Sequence, residues 1–114
     1  MNILIYLVLF TAVSFLYYGL ACLNSPRLKI EFERFGLPEY RLLTGIFQLL
    51  GAVGIIIGLL FPLLGILASA GLTLLMMAGF ITRIKIKDSF IETLPSFFFI
   101  IINGYITYSY YLLI

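Results

Sequence analysis

The sequence predicts an all-α fold, a bundle of four transmembrane helices that run up, down, up and down across a bilayer. Composition, one long uncharged stretch and the placement of the charged residues support this prediction. Of 114 residues, 63% are hydrophobic and 11% are charged. A soluble domain of this size could not cover so much apolar surface with polar groups. We therefore expect a single membrane domain over residues 1–114.

The uncharged stretch extends from residue 42 to residue 82, and Pro62 divides it near its midpoint. Each half has about twenty residues, which matches the roughly 30 Å hydrocarbon core of a bilayer at 1.5 Å per helical residue. This pattern predicts spans at 42–61 and 63–82, joined by a tight turn.

The two ends of the chain supply the other spans. Residues 3–23 and 93–113 are uncharged runs of sufficient length, and Pro95 is tolerated in the first turn of a helix. A cleaved signal peptide is the alternative for the first run. However, no Lys or Arg precedes Arg27, and the run is longer than the apolar core of a signal.

A polar segment, residues 24–41, separates the first two spans. Ser25 and Pro26 suit the start of a helix, and Gly36 suits its end. Apolar residues recur there at helical spacing: Leu28, Phe32 and Phe35. The pattern predicts a short amphipathic helix in the membrane interface. The alternative is a solvated connector whose charges pair among themselves.

Five small residues in the middle spans predict a close contact between helices: Gly51, Gly54, Gly58, Gly65 and Ser69. Gly54 and Gly58 form a GxxxG motif, and small residues allow helix backbones to approach closely in lipid. A tight turn at Pro62 would make the two helices antiparallel neighbours.

Four polar side chains inside the spans are candidates for the lining of a ligand site: Gln48, Asn103, Thr107 and Tyr110. The last three recur at helical spacing on one face. Gln48 is the most polar group of its span, and a buried amide needs hydrogen bonds. It either bridges to a neighbouring helix, which we prefer, or contacts a polar ligand.

All seven Lys and Arg residues lie in two polar segments, 24–41 and 83–92. Four alternating spans place both segments on one side of the membrane, and the positive-inside rule makes that side cytoplasmic. Both termini would then lie outside the inner (cell) membrane. Tyrosines would form an aromatic belt near the termini: Tyr6, Tyr105, Tyr108, Tyr110 and Tyr111.

The residues predict no catalytic group and no metal ligand. The sequence has no His, and Cys22 is its only cysteine, which excludes an internal disulfide, a zinc site of Cys and His, and a Ser–His nucleophile. The net charge of +2 does not suggest nucleic-acid binding. An activity of the chain on its own is not expected.

Three short segments resemble the DoxX-like family of small four-helix membrane proteins. Residues 35–38 carry a Gly-Leu-Pro before the second span, and residues 76–78 are Met-Met-Ala. Residues 45–52 follow a G-x-x-E-x-x-G-A pattern, except that Gln48 stands where relatives often have glutamate. An amide does not titrate, so the resemblance does not carry a proton-transfer role to this position. Relatives also often suggest the opposite orientation in the membrane.

The resemblance implies several functions, because some relatives are subunits of thiosulfate:quinone oxidoreductase and others assist the maturation of membrane or periplasmic proteins. We prefer a non-catalytic accessory or assembly subunit, with other membrane subunits or a second copy as partner. The alternatives are a quinone-binding subunit of a membrane redox complex and a carrier of small molecules or lipids. Quinone is the one cofactor that these hypotheses include.

Overall fold

The computed structural model describes residues 2–114, apart from the side chain of Asn2. This part of the chain consists of helices joined by short turns and has no strand, which confirms the all-α prediction. A single 3-10 turn, Pro38–Tyr40, precedes the third helix. The helices are α1 (Asn2–Asn24), α2 (Pro26–Phe35), α3 (Arg41–Ile57), α4 (Pro62–Lys85) and α5 (Phe90–Tyr111).

Four of the described helical segments are long and apolar enough to cross a membrane, as predicted: Ile3–Asn24, Pro38–Ile57, Pro62–Lys85 and Phe90–Tyr111. The second span stops at Ile57 rather than residue 61, because residues 58–61 form the turn. Within it, the N–H groups of Leu59 and Leu60 donate to carbonyls three residues back, which tightens the end of α3. Pro62 then begins α4, where its missing N–H is not needed.

The short helix α2 begins after Ser25 and ends at Gly36, where the sequence predicts its limits. Gly36 has a left-handed conformation with φ of 78°, which costs glycine little. Its N–H donates to the carbonyl of Glu33, and the N–H of Leu37 donates to that of Phe32. This Schellman motif turns the chain towards α3. The location of α2 in the membrane interface stays a prediction.

The four long helices pack as a ring, in which α1 contacts α3, α3 contacts α4, α4 contacts α5, and α5 returns to α1. The bundle measures 41 × 26 × 18 Å. Its core combines residues from all four helices: Leu4, Val8, Ala12, Phe15, Ala52, Ile55, Leu72, Phe99, Ile102, Ile106 and Tyr110. Most other large apolar side chains are exposed on the outside of the bundle, where a bilayer would cover them.

Small residues bring α3 and α4 together. A Cβ atom added to Gly51 would meet Leu72, one on Gly54 would meet Ala68, and one on Gly58 would lie 2.5 Å from the Cα of Gly65. Later glycines of α3 thus contact earlier residues of α4, as expected for antiparallel helices. This arrangement favours the alternating up-and-down order. That order stays a prediction for the bundle as a whole.

Tyr110 lies inside the bundle and not in an aromatic belt at the lipid surface. Its side chain is fully buried, and its hydroxyl donates to the carbonyl of Ile55 at 2.5 Å. Gly58 and Gly65 leave the space that the ring fills. The other tyrosines of the expected belt are exposed: Tyr6, Tyr105, Tyr108 and Tyr111.

We expect Gly58→Ala to destabilise the protein by about 1–3 kcal/mol, because the added methyl group forces α3 away from the backbone of α4. Thermal unfolding in detergent measures this loss. Gly71→Ala is the matched control, since nothing lies within 4 Å of the position of its added Cβ. Equal stability of the two variants would contradict the close contact.

We expect Tyr110→Phe to lower the free energy of unfolding by about 1 kcal/mol, because it removes one hydrogen bond and leaves the ring in place. Unfolding by a denaturing detergent measures the difference. Tyr108→Phe removes the same hydroxyl from an exposed ring and should have no effect. A similar loss in both variants would show that the buried bond is not the cause.

Candidate functional site

A cavity of about 630 Å³ lies at the end of the bundle that carries the charged segments. All five helices contribute to its lining. Its buried part includes Cys22, Gln48 and Phe99, and its exposed part includes Arg27 and Glu92. The cavity therefore joins an apolar, aromatic interior to a charged mouth.

Gln48 is the most distinctive group of this cavity. Its side chain is only 6% exposed, and its Oε1 has no hydrogen-bond partner among the described residues. Its Nε2 lies 3.9 Å from the Sγ of Cys22, a long contact with a weak acceptor. A buried amide without partners is costly. Gln48 is thus free to hydrogen-bond to a molecule in the cavity.

The close approach of α1 and α3 places Gln48 beside Cys22. A Cβ atom added to Gly45 would lie 2.9 Å from the carbonyl oxygen of Gly19 and 2.9 Å from the Cβ of Cys22. Cys22 and Gln48 follow these two glycines by three residues, so they share the same contacting faces. Arg41 donates to the carbonyl of Cys22 at 2.5 Å and caps the end of α1 there.

Helix α2 covers part of the cavity mouth. Its three regularly spaced apolar residues all line the cavity: Leu28, Phe32 and Phe35. The ring of Phe35 has a guanidinium group nearby on α2 and another on α4, with Arg34 at 5.5 Å and Arg83 at 5.0 Å from its centre. Such contacts between cations and aromatic rings are attractive. Since Arg34 belongs to α2 itself, the contact with Arg83 is the one that helps to hold α2 against α4.

An ion-pair cluster joins the two charged segments at the mouth. Arg34 on α2 pairs with Glu31 at 2.5 Å and with Asp88 at 3.2 Å, and Arg83 pairs with Asp88 at 2.5 Å. The hydrogen bond from Arg34 is the main reason that the pKa of Asp88 lies well below its usual range. Asp88 is therefore charged at neutral pH. The segments 24–41 and 83–92 meet at one end of the bundle, while the leaflet they face stays a prediction.

The structure separates Gln48 from the other three candidate lining residues, which do not line the cavity: Asn103, Thr107 and Tyr110. The hydroxyl of Thr107 lies 2.7 Å from that of Ser69 and donates to the carbonyl of Asn103. The amide of Asn103 donates to the carbonyl of Phe99 at 3.0 Å. The contact with Ser69 joins α5 to α4, and the other two bonds lie within α5. A ligand-binding role for the three residues stays a prediction.

Sequence reasoning missed several residues of the site. It treated Cys22 as evidence against an internal disulfide and a zinc site and not as a lining residue, and it did not connect Arg34 with Asp88, 54 residues further along the chain. One signal was available for Cys22. Cys22 follows Gly19 by three residues on α1, and Gln48 follows Gly45 by three residues on α3. The two helices therefore carry the same spacing between a glycine and a sulfur-bearing or polar side chain.

Comparison with known proteins identifies the family. The model of the DoxX-like family matches residues 6–104, which include α3, α4, most of α1 and α5, and the whole cavity lining. Searches of curated proteins and of solved structures found no match. The family match covers most of the chain and agrees with the resemblance of residues 35–38, 45–52 and 76–78. This membrane protein therefore belongs to the DoxX-like family.

Proposed function

We propose that this DoxX-like protein binds an amphipathic small molecule of the membrane in the cavity between its helices. The observation that carries the proposal is the amide of Gln48, which is buried at the cavity and lacks a partner for Oε1 among the described residues. Buried polar groups in proteins almost always have partners. A ligand that reaches Gln48 would supply the missing hydrogen bond.

The size and lining of the cavity fit a ring-bearing ligand. Small-molecule sites commonly measure about 300–1,000 Å³ and combine apolar walls with a few polar groups, and this cavity measures about 630 Å³. Its aromatic side chains include Tyr18, Phe32 and Phe99. Flat rings pack well against such side chains in stacked or edge-on arrangements.

A quinone is the ligand class that we propose. The Nε2 of Gln48 can donate to a quinone carbonyl, and its Oε1 can accept from the hydroxyl of the reduced form, so one neutral amide serves both states. The apolar tail of a quinone would extend between the helices into the lipid. In this proposal the chain holds the quinone for a redox partner, and a lipid in the same cavity is the outcome that the experiment distinguishes.

We expect Gln48→Leu to weaken the binding of a short-chain ubiquinone about five-fold, because one neutral hydrogen bond contributes about 1 kcal/mol. Titration of the purified protein in nanodiscs measures the affinity. Thr11→Val is the control, since it changes a buried polar residue outside the cavity and should leave the affinity unchanged.

The same titration with a phospholipid labelled on its acyl chain separates the two ligand classes. Displacement of the lipid by quinone in the wild type, with about five-fold more quinone needed in Gln48→Leu, supports the proposal. An affinity for quinone that does not depend on Gln48 would reject it. Tight lipid binding that quinone does not displace would favour the carrier hypothesis instead.

An accessory role in a larger complex is a second candidate, and an exposed glycine on α4 favours it. Gly71 is exposed, and nothing lies within 4 Å of the position where its Cβ would be. In the membrane, an open glycine surface allows a helix of another subunit to approach closely. A second subunit would then pack on the outer face of α4.

We expect purification in mild detergent to recover a stoichiometric membrane partner, and Gly71→Leu to reduce its recovery because the leucine blocks the approach. Native gel electrophoresis and mass spectrometry measure the ratio of the two chains. Ile46→Phe adds bulk to an exposed position of α3 and should leave the ratio unchanged. A wild-type protein that is purely monomeric from native membranes would contradict this role.

A further inference from the structure

We propose that α2 is a lid on the cavity and that the ion pair between Arg34 and Asp88 is the latch that keeps it closed. This inference concerns the regulation of the site and rests on the proposed function only for the identity of the ligand. The position of α2, its attachment to the bundle and its ion pairs support it.

The inner face of α2 is part of the cavity wall. Phe32 is buried, Leu28 and Phe35 are half-buried, and all three line the cavity. Movement of α2 away from the bundle would expose these side chains and widen the mouth. The same movement would uncover Cys22 and Gln48, which are buried in the closed structure.

The connections of α2 allow such a movement. At one end, Ser25 alone separates it from α1, and its φ of −81° and ψ of 126° are those of extended chain. At the other end, the left-handed Gly36 and then Leu37 lead to the 3-10 turn. The backbone of α2 packs much less against α1 and α3 than the long helices pack against each other. Low local contact density is typical of segments that open locally.

Side chains near the end of α2 connect it to the far side of the mouth. Arg34 reaches Asp88 at 3.2 Å and Glu92 at 3.8 Å, and both acidic residues also face Arg83. Opening would separate Arg34 from Asp88 and leave Arg83 as the basic group beside that carboxylate. The side chain of Arg34 is 41% exposed, so dissolved salt can screen the latch.

Cys22 provides a built-in measure of the lid. It is the only cysteine of the chain, it lines the cavity, and it is 2% exposed. The rate at which iodoacetamide alkylates Cys22 therefore reports how often the cavity opens. Iodoacetamide is neutral, so a change of charge at the mouth does not attract or repel it.

We expect Arg34→Gln to increase the alkylation rate of Cys22 several-fold in nanodiscs, because the variant loses its ion pairs with Asp88 and Glu92. Lys29→Gln is the matched control. It removes the same charge from the same helix, and among the described residues Lys29 has no ion pair, so its rate should equal that of the wild type. Raising the salt concentration should increase the wild-type rate towards that of Arg34→Gln.

Equal rates in Arg34→Gln and the wild type, or an equal rise in Lys29→Gln, would overturn the latch. If Arg34→Gln no longer unfolds cooperatively, the salt dependence of the wild-type rate decides, and a rate that does not respond to salt overturns the proposal. The alkylation assay needs no ligand. Failure of the latch is therefore distinct from failure of quinone binding at Gln48, which the titration of Gln48→Leu tests separately.

Discussion

A bilayer offers no water to hydrogen-bond with buried polar groups, so each such group must find its partner inside the protein. The two ends of this bundle differ in how they meet that constraint. At the turn between α3 and α4, the hydroxyl of Tyr110 binds the carbonyl of Ile55, and nearby Ser69 pairs with Thr107. At the charged end, Gln48 lacks a partner for Oε1 within the described chain. Thr11 and Asn103, which do not line the cavity, also have a buried oxygen without a partner among the described residues. Gln48 therefore differs in that its unpaired oxygen lies at a cavity where another molecule can reach it.

Glycines create both ends by the same physical means. Gly58 and Gly65 bring α3 against α4 and leave room for the ring of Tyr110, which then fills the space and makes that end dense. Gly19 and Gly45 bring α1 against α3, but the neighbouring side chains there are Cys22 and Gln48. These do not fill the region between α1, α3 and α5, so a cavity remains. Close helix approach thus produces a core or a site according to the side chains that flank it.

The sequence predicted those features that depend on local chemistry. Hydropathy and length located the four spans, and Pro62 and Gly36 marked a helix start and a helix end, because each acts on its own backbone. Helical spacing showed that Asn103, Thr107 and Tyr110 share a face. It could not show that this face packs on α4 and lies apart from Gln48, since spacing describes one helix and not its neighbours. The pair of Arg34 and Asp88 depends on the whole fold, because 54 residues separate them.

Glutamine at position 48 changes what pH can control in this protein. A carboxyl group at this depth would lose its charge or need a cation beside it, so binding there would vary with its protonation. The amide of Gln48 is neutral at every pH, and its hydrogen bonds are not affected by titration. In the latch at the mouth, by contrast, the carboxyl group of Asp88 can titrate. Since Arg34 holds the pKa of Asp88 below its usual range, the carboxylate persists through the neutral range and is lost only as the pH falls through that lowered value. Only strong acid, well below the usual titration range of a carboxyl group, would therefore remove the pair of Arg34 and Asp88, and the hydrogen-bonding chemistry of Gln48 would stay unchanged.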